Sequence, residues 1–252
     1  MPAAYDSFNY PSYWIGREYE HKSETIALKE FLSRIRKIAT TIEIGTGFGR
    51  LVPIYAFRSK KVILTDPSSK LLKIAKEVFG KQKKIKFIHS SLENLPGKIR
   101  TASADLIIMV RVVHHIKNLD IVFNNLNRLL KTGGYLVFEF ANKKHWKATF
   151  REFLAGNFTF PIDINTSDIG TKKGKKISTL PFLNFHPDRI NEVMGEYGFE
   201  IIEKRSVSNI RSTFLKKIFP TDFLVFLDKI TQKPFSHVDF GPSIFILARK
   251  MG

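Results

Sequence analysis

A glycine-rich turn directly after a short β-branched run constrains this chain more than any other feature. Residues 40–45 read as a buried strand, and they overlap the turn EIGTGFG at residues 43–49. Three alternating glycines after a strand indicate a tight turn that a ligand can approach closely. The third glycine comes one residue too early for the dinucleotide fingerprint, and the Gly-Lys-Ser/Thr of a phosphate-binding loop is absent. Glu43 beside the turn suits a ligand with a cationic group better than a phosphate.

Short apolar runs alternate with helical patterns over most of the chain. Apolar residues at helical spacing predict a first helix that has Ser23 as its N-cap and extends to Ile38. Predicted strands lie at residues 40–45, 61–65, 85–89, 105–110, 135–140, 199–207 and 243–249. Predicted helices lie at residues 50–57, 70–79, 119–130, 187–197, 211–219 and 222–230. This alternation predicts an α/β fold with a mostly parallel sheet, which binds ligands at the carboxyl ends of its strands.

The second predicted strand ends at Asp66. A carboxylate about 20 residues beyond a glycine turn is placed to accept hydrogen bonds from ribose hydroxyl groups. Asp66 could instead cap the following helix, but Ser68 or Ser69 can do that. We therefore expect Asp66 to bind a ribose.

Composition excludes several classes of site. The chain has no cysteine, which rules out disulfides, thiolate nucleophiles and cysteine-ligated metal centres. No apolar run reaches the roughly 20 residues of a membrane span and no secretory signal is visible, so we expect a cytoplasmic protein. The 41 basic and 23 acidic residues give a net charge of +18, which suggests nucleic acid, an anionic membrane or an acidic substrate as a partner. The basic residues are spread over several predicted helices, so charge alone does not identify the partner.

With these motifs in order, residues 24–140 resemble the class I S-adenosylmethionine-dependent methyltransferases, in the small-molecule branch that contains the ubiquinone and menaquinone enzymes. The resemblance rests on EIGTGFG at 43–49, TDPS at 65–68, SLENLP at 91–96, SADLIIMVRVVHHI at 103–116 and RLLKTGG at 128–134. It implies a Rossmann-like sheet of seven strands, mostly parallel with the last strand antiparallel and helices on both faces. It also implies S-adenosyl-L-methionine as the cofactor.

The same resemblance implies a path for the cofactor along the strand ends. The residues on this path are Glu43, Gly45, Thr46, Gly47, Gly49, Asp66, Pro67, Ser91, Leu92, Glu93, Val110 and Arg111. Glu43 would lie near the methionine amino group, Asp66 would hold the ribose, and Leu92 would flank the adenine. Ser91 replaces the family's usual Asp, so we expect altered or weaker recognition of the adenine amino group.

One histidine is a candidate catalytic residue. His114 follows the fourth predicted strand, where it could act as a general base or make a structural hydrogen bond beneath the cofactor. It does not form a metal site with His115, because no third ligand is suitably spaced, and we expect no metal.

Aromatic residues are concentrated in the first nineteen positions of the chain. They could form a helix docked on the core, but we favour a lid in which rings such as Tyr13 enclose the sulfonium and Arg17 pairs with the methionine carboxylate. We treat 1–252 as a single domain. Its parts are this lid at 1–22, a cofactor-binding core at 23–140, and insertions at 141–185 and 208–240 that cap the acceptor side. The lysines between 172 and 176 read as a solvated loop.

The predicted activity is in-line transfer of a methyl group to a small, hydrophobic acceptor, which depends on alignment and exclusion of water more than on acid–base groups. The insertion at 141–185 is richer in Phe and Ile than in charge, which favours such an acceptor. The alternatives are an RNA methyltransferase, suggested by the net charge, and a non-catalytic binder of nucleic acid or a lipid surface. We expect nucleic-acid binding to be weak or absent and strongly salt-dependent. The sequence leaves open a peripheral contact with an anionic membrane, and it leaves the oligomeric state unknown.

Overall fold

The computed structural model describes residues 9–169 and 181–252, so the lysines between 172 and 176 lie outside the described residues. The helices are α1 (Tyr10–Tyr13), α2 (Glu18–Arg34), α3 (Val52–Tyr55), α4 (Ser69–Phe79), α5 (Leu119–Leu129), α6 (Trp146–Leu154), α7 (Pro187–Glu196), α8 (Thr213–Ile218) and α9 (Thr221–Ser236). The strands are β1 (Ile38–Ile44), β2 (Ser59–Asp66), β3 (Ile85–His89), β4 (Ala104–Met109), β5 (Leu130–Ala141), β6 (Ser167–Asp168), β7 (Leu183–Asn184), β8 (Phe199–Val207) and β9 (Ser243–Lys250). Within these described ranges, no helix is both long and apolar enough to cross a membrane.

Seven strands form one sheet in the order β3-β2-β1-β4-β5-β9-β8. All pairs formed among strands β1 to β5 are parallel. Strand β9, the last strand of the chain, is antiparallel to both of its neighbours, β5 and β8. The predicted seven-stranded sheet with an antiparallel last strand is therefore confirmed. The strand order reverses between β1 and β4, so the carboxyl ends of these two strands border a crevice.

Buried apolar side chains form one layer on each face of the sheet. On β4, Ile107 and Met109 belong to the layer that includes α5 and α7, whereas Leu106 and Ile108 belong to the layer that includes α2 and α3. The alternation follows from the two-residue period of a strand. Because both faces are covered, the central strands are almost continuously apolar, and their ends form a fixed platform for the crevice.

The first two predicted helices are wrong in extent. Helix α2 begins at Glu18, so Ser23 is not an N-cap but a buried residue inside the helix, and Ile38 belongs to β1. Ser23 is buried because this face of α2 packs on α9, where the Gln232 side chain donates to the Ser23 carbonyl oxygen at 3.0 Å. The helix predicted at 50–57 is reduced to α3 and a 3₁₀ turn, because the chain must already enter β2 at Ser59.

The segment after β5 forms a small cap made of α6, a 3₁₀ turn and the β6–β7 pair. The side chain of Lys143 is buried, and its Nζ donates to the carbonyl oxygen and the carboxylate of Asp163, both at 2.6 Å, and to the carbonyl oxygen of Asn165 at 2.7 Å. These bonds hold the cap against the end of β5. The second predicted insertion, 208–240, lies elsewhere, because its helix α9 packs against α2 and β8 at the sheet edge opposite β3.

A buried carboxylate in α2 joins the N-terminal helices to the sheet. Glu24 is 1% exposed and accepts from Arg50 Nη2 at 2.5 Å, from Arg111 Nε at 2.6 Å and from Arg111 Nη2 at 2.5 Å. The Trp14 ring lies against both guanidinium groups, with its centroid 3.6 Å from the Cζ atom of Arg50 and 4.9 Å from the Cζ atom of Arg111. Burial opposes ionisation of Glu24, but Arg111 and Arg50 outweigh it and hold the pKa below its ordinary value. The carboxylate is therefore charged at neutral pH.

Replacing Glu24 with Gln should destabilise the fold strongly, because it removes the counter-charge of two largely buried guanidinium groups. Breaking a buried ion pair on one side costs about 3–5 kcal/mol, and chemical denaturation should show a loss of that order in the free energy of unfolding. The control Asp222→Asn breaks the exposed Lys22–Asp222 pair and should cost less than about 1 kcal/mol. Equally small losses in the two variants would show that Glu24 does not hold the N-terminal helices in place.

Candidate functional site

A cavity of about 300 Å³ opens at the carboxyl ends of β1, β2 and β4, in the crevice where the strand order reverses. Its wall consists of Tyr10, Ile44, Gly45, Gly47, Asp66, Pro67, Leu71, Ser90, Ser91, Leu92, Glu93, Val110, Arg111, Val112, His115 and Ile116. The cavity thus brings together the glycine turn, Asp66 and the residues that follow β3 and β4. Its size is typical of small-molecule sites.

The glycine turn is bonded to the end of β2. The N–H groups of Gly45 and Thr46 both donate to the carbonyl oxygen of Thr65, at 2.8 and 2.9 Å. Gly45 has a φ of +71°, and a Cβ atom at this position would lie 2.3 Å from Cγ2 of Val112. Only glycine fits there, so the turn packs directly against the loop that follows β4.

The other two glycines of the turn face different surroundings. A Cβ atom on Gly47 would meet the Tyr10 ring at 3.6 Å, across the cavity wall. A Cβ atom on Gly49 would lie 2.6 Å from Cε2 of Phe79, so Gly49 allows α4 to pack closely and does not line the cavity. The backbone from Gly45 to Gly47 is therefore the part of the turn that a ligand can contact.

Asp66 connects the ends of three strands through its carboxylate and its backbone carbonyl. It is 5% exposed; Oδ2 accepts from the Gly47 N–H and Oδ1 accepts from the Ser68 N–H, both at 2.7 Å. The Ser90 N–H donates to the Asp66 carbonyl oxygen at 3.1 Å, just beyond β3. Helix α4 is capped by Ser68, whose Oγ accepts from the Leu71 N–H at 3.2 Å, so Asp66 is not its N-cap.

Beside Asp66 the wall is mainly apolar. Pro67, Leu71, Leu92 and Ile116 contribute to it, and Leu92 is buried. Ser91 lies at the same part of the wall, where its Oγ accepts from Asn94 Nδ2 at 3.3 Å. An apolar wall with a few polar groups suits a flat ring that carries polar atoms at its edge.

Glu43 lies behind the turn rather than on the cavity wall. Its Oε2 accepts from Thr46 Oγ1 at 2.6 Å and from the Tyr55 hydroxyl at 2.7 Å, and both side chains are buried with it. Burial raises the pKa of Glu43 to about 7, although the two hydrogen bonds act in the opposite direction. In this position Glu43 and Thr46 brace the turn from inside, and neither lines the cavity.

Arg111 lines the cavity in an unusual backbone conformation. It is a non-glycine residue with a φ of +59°, and its N–H donates to Glu139 Oε2 at 2.7 Å. Its guanidinium is bound by Glu24, whose negative charge raises the pKa of Arg111 despite its burial. Val110 and Arg111 both line the cavity, and Glu24 compensates the positive charge of Arg111 there.

The N-terminal aromatic residues reach the cavity through Tyr10. The Tyr10 ring lines the wall and stacks on Tyr13 with centroids 5.8 Å apart. Tyr13 and Arg17 do not line the cavity; the Arg17 guanidinium lies 4.0 Å from the centroid of the Tyr13 ring. The described part of this segment thus contributes the Tyr10 ring to the cavity wall. The aromatic richness of the first nineteen residues was the only sequence signal for Tyr10.

The two adjacent histidines occupy different positions. His115 lines the cavity, whereas His114 is buried behind it with its ring centroid 4.5 Å from that of Phe182. Burial, together with the nearby His115 and Arg111, holds the pKa of His114 well below its usual value. The structure therefore offers His115, rather than the predicted His114, to a molecule in the cavity.

Among the described residues, neither predicted insertion contributes directly to the cavity wall. Of the residues that the structure describes, none from 141–169, 181–185 or 208–240 lines the cavity. The first insertion reaches it through His115, whose Nδ1 lies 2.8 Å from the carbonyl oxygen of Pro181. Across residues 9–169 and 181–252, no three His, Asp or Glu side chains lie together as a metal site would need.

Replacing Glu43 with Gln should change how stability depends on pH. A buried Glu43 keeps its proton to about pH 7, whereas the unfolded chain loses it near 4.5, so the folded state is destabilised as the pH rises through this window. Gln stays neutral and keeps an oxygen that accepts from Thr46 and Tyr55. We therefore expect E43Q to match the native protein at pH 5 and to exceed it by about 2–3 kcal/mol at pH 8.

Chemical denaturation across this pH range measures the difference, with Glu77→Gln as an exposed control that should leave the profile unchanged. Parallel pH profiles for E43Q and the native protein would show that folding does not raise the pKa of Glu43, and they would contradict this prediction.

A family model described as a methyltransferase domain matches residues 42–138, from the middle of β1 into β5. A probable S-adenosylmethionine-dependent methyltransferase from Saccharomyces cerevisiae, CRG1, is 33% identical over 102 residues, which make up 39% of this chain and 34% of that protein. The chain spans about a third or less of the length of the curated relatives that it matches.

Solved structures share the fold over almost the whole chain. A possible histamine N-methyltransferase from Thermotoga maritima has a TM-score of 0.63 at 18% identity, with 98% of both chains covered. The N-methyltransferase NodS from Bradyrhizobium japonicum, in complex with S-adenosyl-l-homocysteine, has a TM-score of 0.56 at 15% identity, with 92% of this chain and 87% of that chain covered. At these identities the structures show the fold alone. Residues 42–138 thus match a methyltransferase domain within a chain that has the fold of S-adenosylmethionine-dependent methyltransferases, and S-adenosylmethionine is the cofactor that these matches imply.

Proposed function

We propose that this protein transfers the methyl group of S-adenosylmethionine to a small, hydrophobic acceptor by in-line displacement. The proposal is carried by the cavity, in which a buried carboxylate, an open glycine turn and an apolar wall lie side by side. The cofactor supplies a sulfonium, which is already a reactive methyl donor. The contribution of the protein is therefore binding, alignment and exclusion of water.

The residues on the wall fit the chemical parts of the cofactor. Asp66 accepts hydrogen bonds from the ribose hydroxyls, and the backbone from Gly45 to Gly47 lies along the methionine. Pro67 and Leu92 hold the adenine between apolar groups, with Ser91 at its polar edge. Two features support these roles: Asp66 is fixed by two backbone N–H groups, and the wall beside it is mainly apolar.

The electrostatics of the opposite side favour a cationic ligand. Arg111 would repel a sulfonium beside Val110, but Glu24 binds its guanidinium through two nitrogens and compensates the charge. Tyr10 presents an aromatic ring to the same cavity, and such a ring attracts a cation through its π face. The role of enclosing the sulfonium was predicted for Tyr13, and we now assign it to Tyr10.

His115 is the candidate general base on the acceptor side. The Pro181 carbonyl can only accept, so Nδ1 of His115 carries the shared proton and Nε2 is the basic nitrogen of the neutral ring. Burial lowers the pKa of His115, which keeps the ring neutral at physiological pH. In this role His115 takes a proton from an acceptor hydroxyl or amine.

A small, hydrophobic acceptor is favoured by the surroundings of the cavity. The Phe182 ring of the cap lies 6.2 Å from the His115 ring, and the Ile169 N–H beyond β6 donates to the Phe182 carbonyl oxygen at 3.0 Å. Ring substrates like those of the ubiquinone and menaquinone branch fit this description. Nucleic acid has less support, because the densest lysine cluster among the described residues, Lys81, Lys83, Lys84 and Lys86, lies at the β3 edge of the sheet.

Asp66→Asn should weaken binding of S-adenosylmethionine by about 1.5–3 kcal/mol, because a neutral amide replaces the acceptor of a charge-assisted hydrogen bond. Calorimetric titration with S-adenosylmethionine and S-adenosylhomocysteine measures the loss. Asp105→Asn is the matched control, since Asp105 Oδ2 also accepts from two backbone N–H groups, those of Ala39 at 3.1 Å and Thr40 at 2.7 Å. It lies at the start of β4, the end of the strand away from the cavity, so its replacement should leave the affinity unchanged.

Two results would contradict the proposal. One is an unchanged affinity in a folded D66N variant. The other is heat from binding of NAD with none from either sulfur nucleotide.

A further inference from the structure

Helix α9 buries three polar residues beside Leu224 and turns an apolar stripe outward, which largely reverses the usual arrangement of an amphipathic helix. Its inward residues include Asp228, Gln232 and Ser236, which are at most 3% exposed. Its outward residues include Phe223, Phe226 and Ile230, which are between 45% and 57% exposed. An amphipathic helix of a soluble domain ordinarily turns its apolar stripe toward the core. The outward stripe of α9 therefore needs another explanation.

The orientation of α9 is fixed by buried hydrogen bonds. Asp228 Oδ1 accepts from the Tyr19 hydroxyl at 3.0 Å and from the Asn209 N–H at 2.8 Å, while Oδ2 accepts from Gln232 Nε2 at 2.9 Å. The same Nε2 reaches the Ser23 carbonyl oxygen in α2. Rotation of α9 to bury its aromatic residues would break these bonds and leave the polar atoms unpaired, which is costly. The apolar stripe is thus held outward by the fold.

Helix α8 extends this surface. Phe214, Ile218 and Phe219 are exposed by 67%, 55% and 41%, and the Phe219 ring lies 5.4 Å from that of Phe223. We call the six residues of α8, α9 and their junction the α8–α9 strip: Phe214, Ile218, Phe219, Phe223, Phe226 and Ile230. Single exposed apolar residues are ordinary on a protein surface, but a continuous row of this length marks an interaction site.

The border of the α8–α9 strip is basic. Lys217, Lys229 and Lys233 are exposed on the same two helices, and Arg211 precedes them. The acidic residues between 211 and 236 are Asp222, which pairs with Lys22, and the buried Asp228. Aromatic and aliphatic side chains flanked by lysines are the pattern of helices that lie in a membrane interface. Ile218 and Ile230 offer no flat face on which a nucleic-acid base could stack, which favours lipid over RNA.

We propose that the α8–α9 strip docks on the surface of an anionic lipid bilayer. The Phe and Ile side chains enter the headgroup region, and the lysines at the border contact the anionic headgroups. The net charge of +18 draws the whole protein toward such a surface. This proposal does not rest on the proposed methyl transfer, and its test needs neither cofactor nor acceptor.

Sedimentation with vesicles tests the apolar part of the proposal. The full chain should bind vesicles of phosphatidylcholine with about one-third phosphatidylglycerol, and bind pure phosphatidylcholine at least about tenfold more weakly. The triple variant Phe223→Ser, Phe226→Ser and Ile230→Ser should lose about tenfold or more in affinity for the anionic vesicles. The control Phe57→Ser, Val78→Ser removes two exposed apolar residues outside the strip and should stay within about twofold of the native protein.

A second pair of variants tests the charge. Lys229→Glu, Lys233→Glu should reduce binding by about 20-fold or more, whereas Lys60→Glu, Lys61→Glu, with the same change in net charge on β2, should have a much smaller effect. Equal losses in the two variants would overturn the assignment to the α8–α9 strip in favour of net charge alone. Equal binding to neutral and anionic vesicles would overturn the anionic requirement.

Two further results would replace the bilayer with another occupant. One is a dimer in solution that the triple serine variant dissociates, with no vesicle binding by the native protein. The other is tight binding of mixed-sequence RNA that K229E, K233E abolishes, again with no vesicle binding. Circular dichroism and the melting temperature establish that each variant is folded.

Discussion

The ion pairs around Glu24 are the interaction on which the rest of the structure depends. The carboxylate lies in α2, whereas its partners Arg50 and Arg111 follow β1 and β4, the two strands that border the crevice. Burying a charge is costly unless it is paired, so loss of the Glu24 carboxylate destabilises the N-terminal helices and the two loops together. Trp14 lies against both guanidinium groups and thereby holds the segment from which Tyr10 reaches the cavity. The aromatic side of the cavity is thus a consequence of a buried ion pair.

Two more buried carboxylates act from behind the cavity wall. Glu139 accepts from the Arg111 N–H and from Ser243 Oγ, which supports the positive φ of Arg111 at the end of β4. Glu43 braces the glycine turn through Thr46 and Tyr55. Asp66 is the acidic residue that both organises the strand ends and lines the cavity. This division explains how a basic protein can present a cavity suited to a cationic cofactor, because the nearby arginines are compensated by acids that the ligand does not contact.

The sequence was sufficient to predict the sheet and the part of the site that lies at the strand ends, because both depend on local patterns. Strands with buried faces are apolar runs, and the glycines and Asp66 follow such runs directly. It was not sufficient for Tyr10 or for the Glu24 pairs, whose partners are 26 and 87 residues away along the chain and leave no periodic signal. The spacing of apolar residues predicted the helix α9 but could not show that its apolar face is outward, since that depends on bonds from Asp228 to Tyr19 and Asn209.

The cavity at the ends of β1, β2 and β4 is the proposed S-adenosylmethionine site. A crystal structure with S-adenosylhomocysteine tests it most directly, because this product keeps the ribose, the adenine and the amino-acid part of the cofactor. We expect ribose hydroxyls within hydrogen-bond distance of Asp66, the adenine between Pro67 and Leu92, and the amino-acid part along the backbone from Gly45 to Gly47. Electron density for the ligand at another place on the protein, with this cavity filled only by solvent, would contradict it.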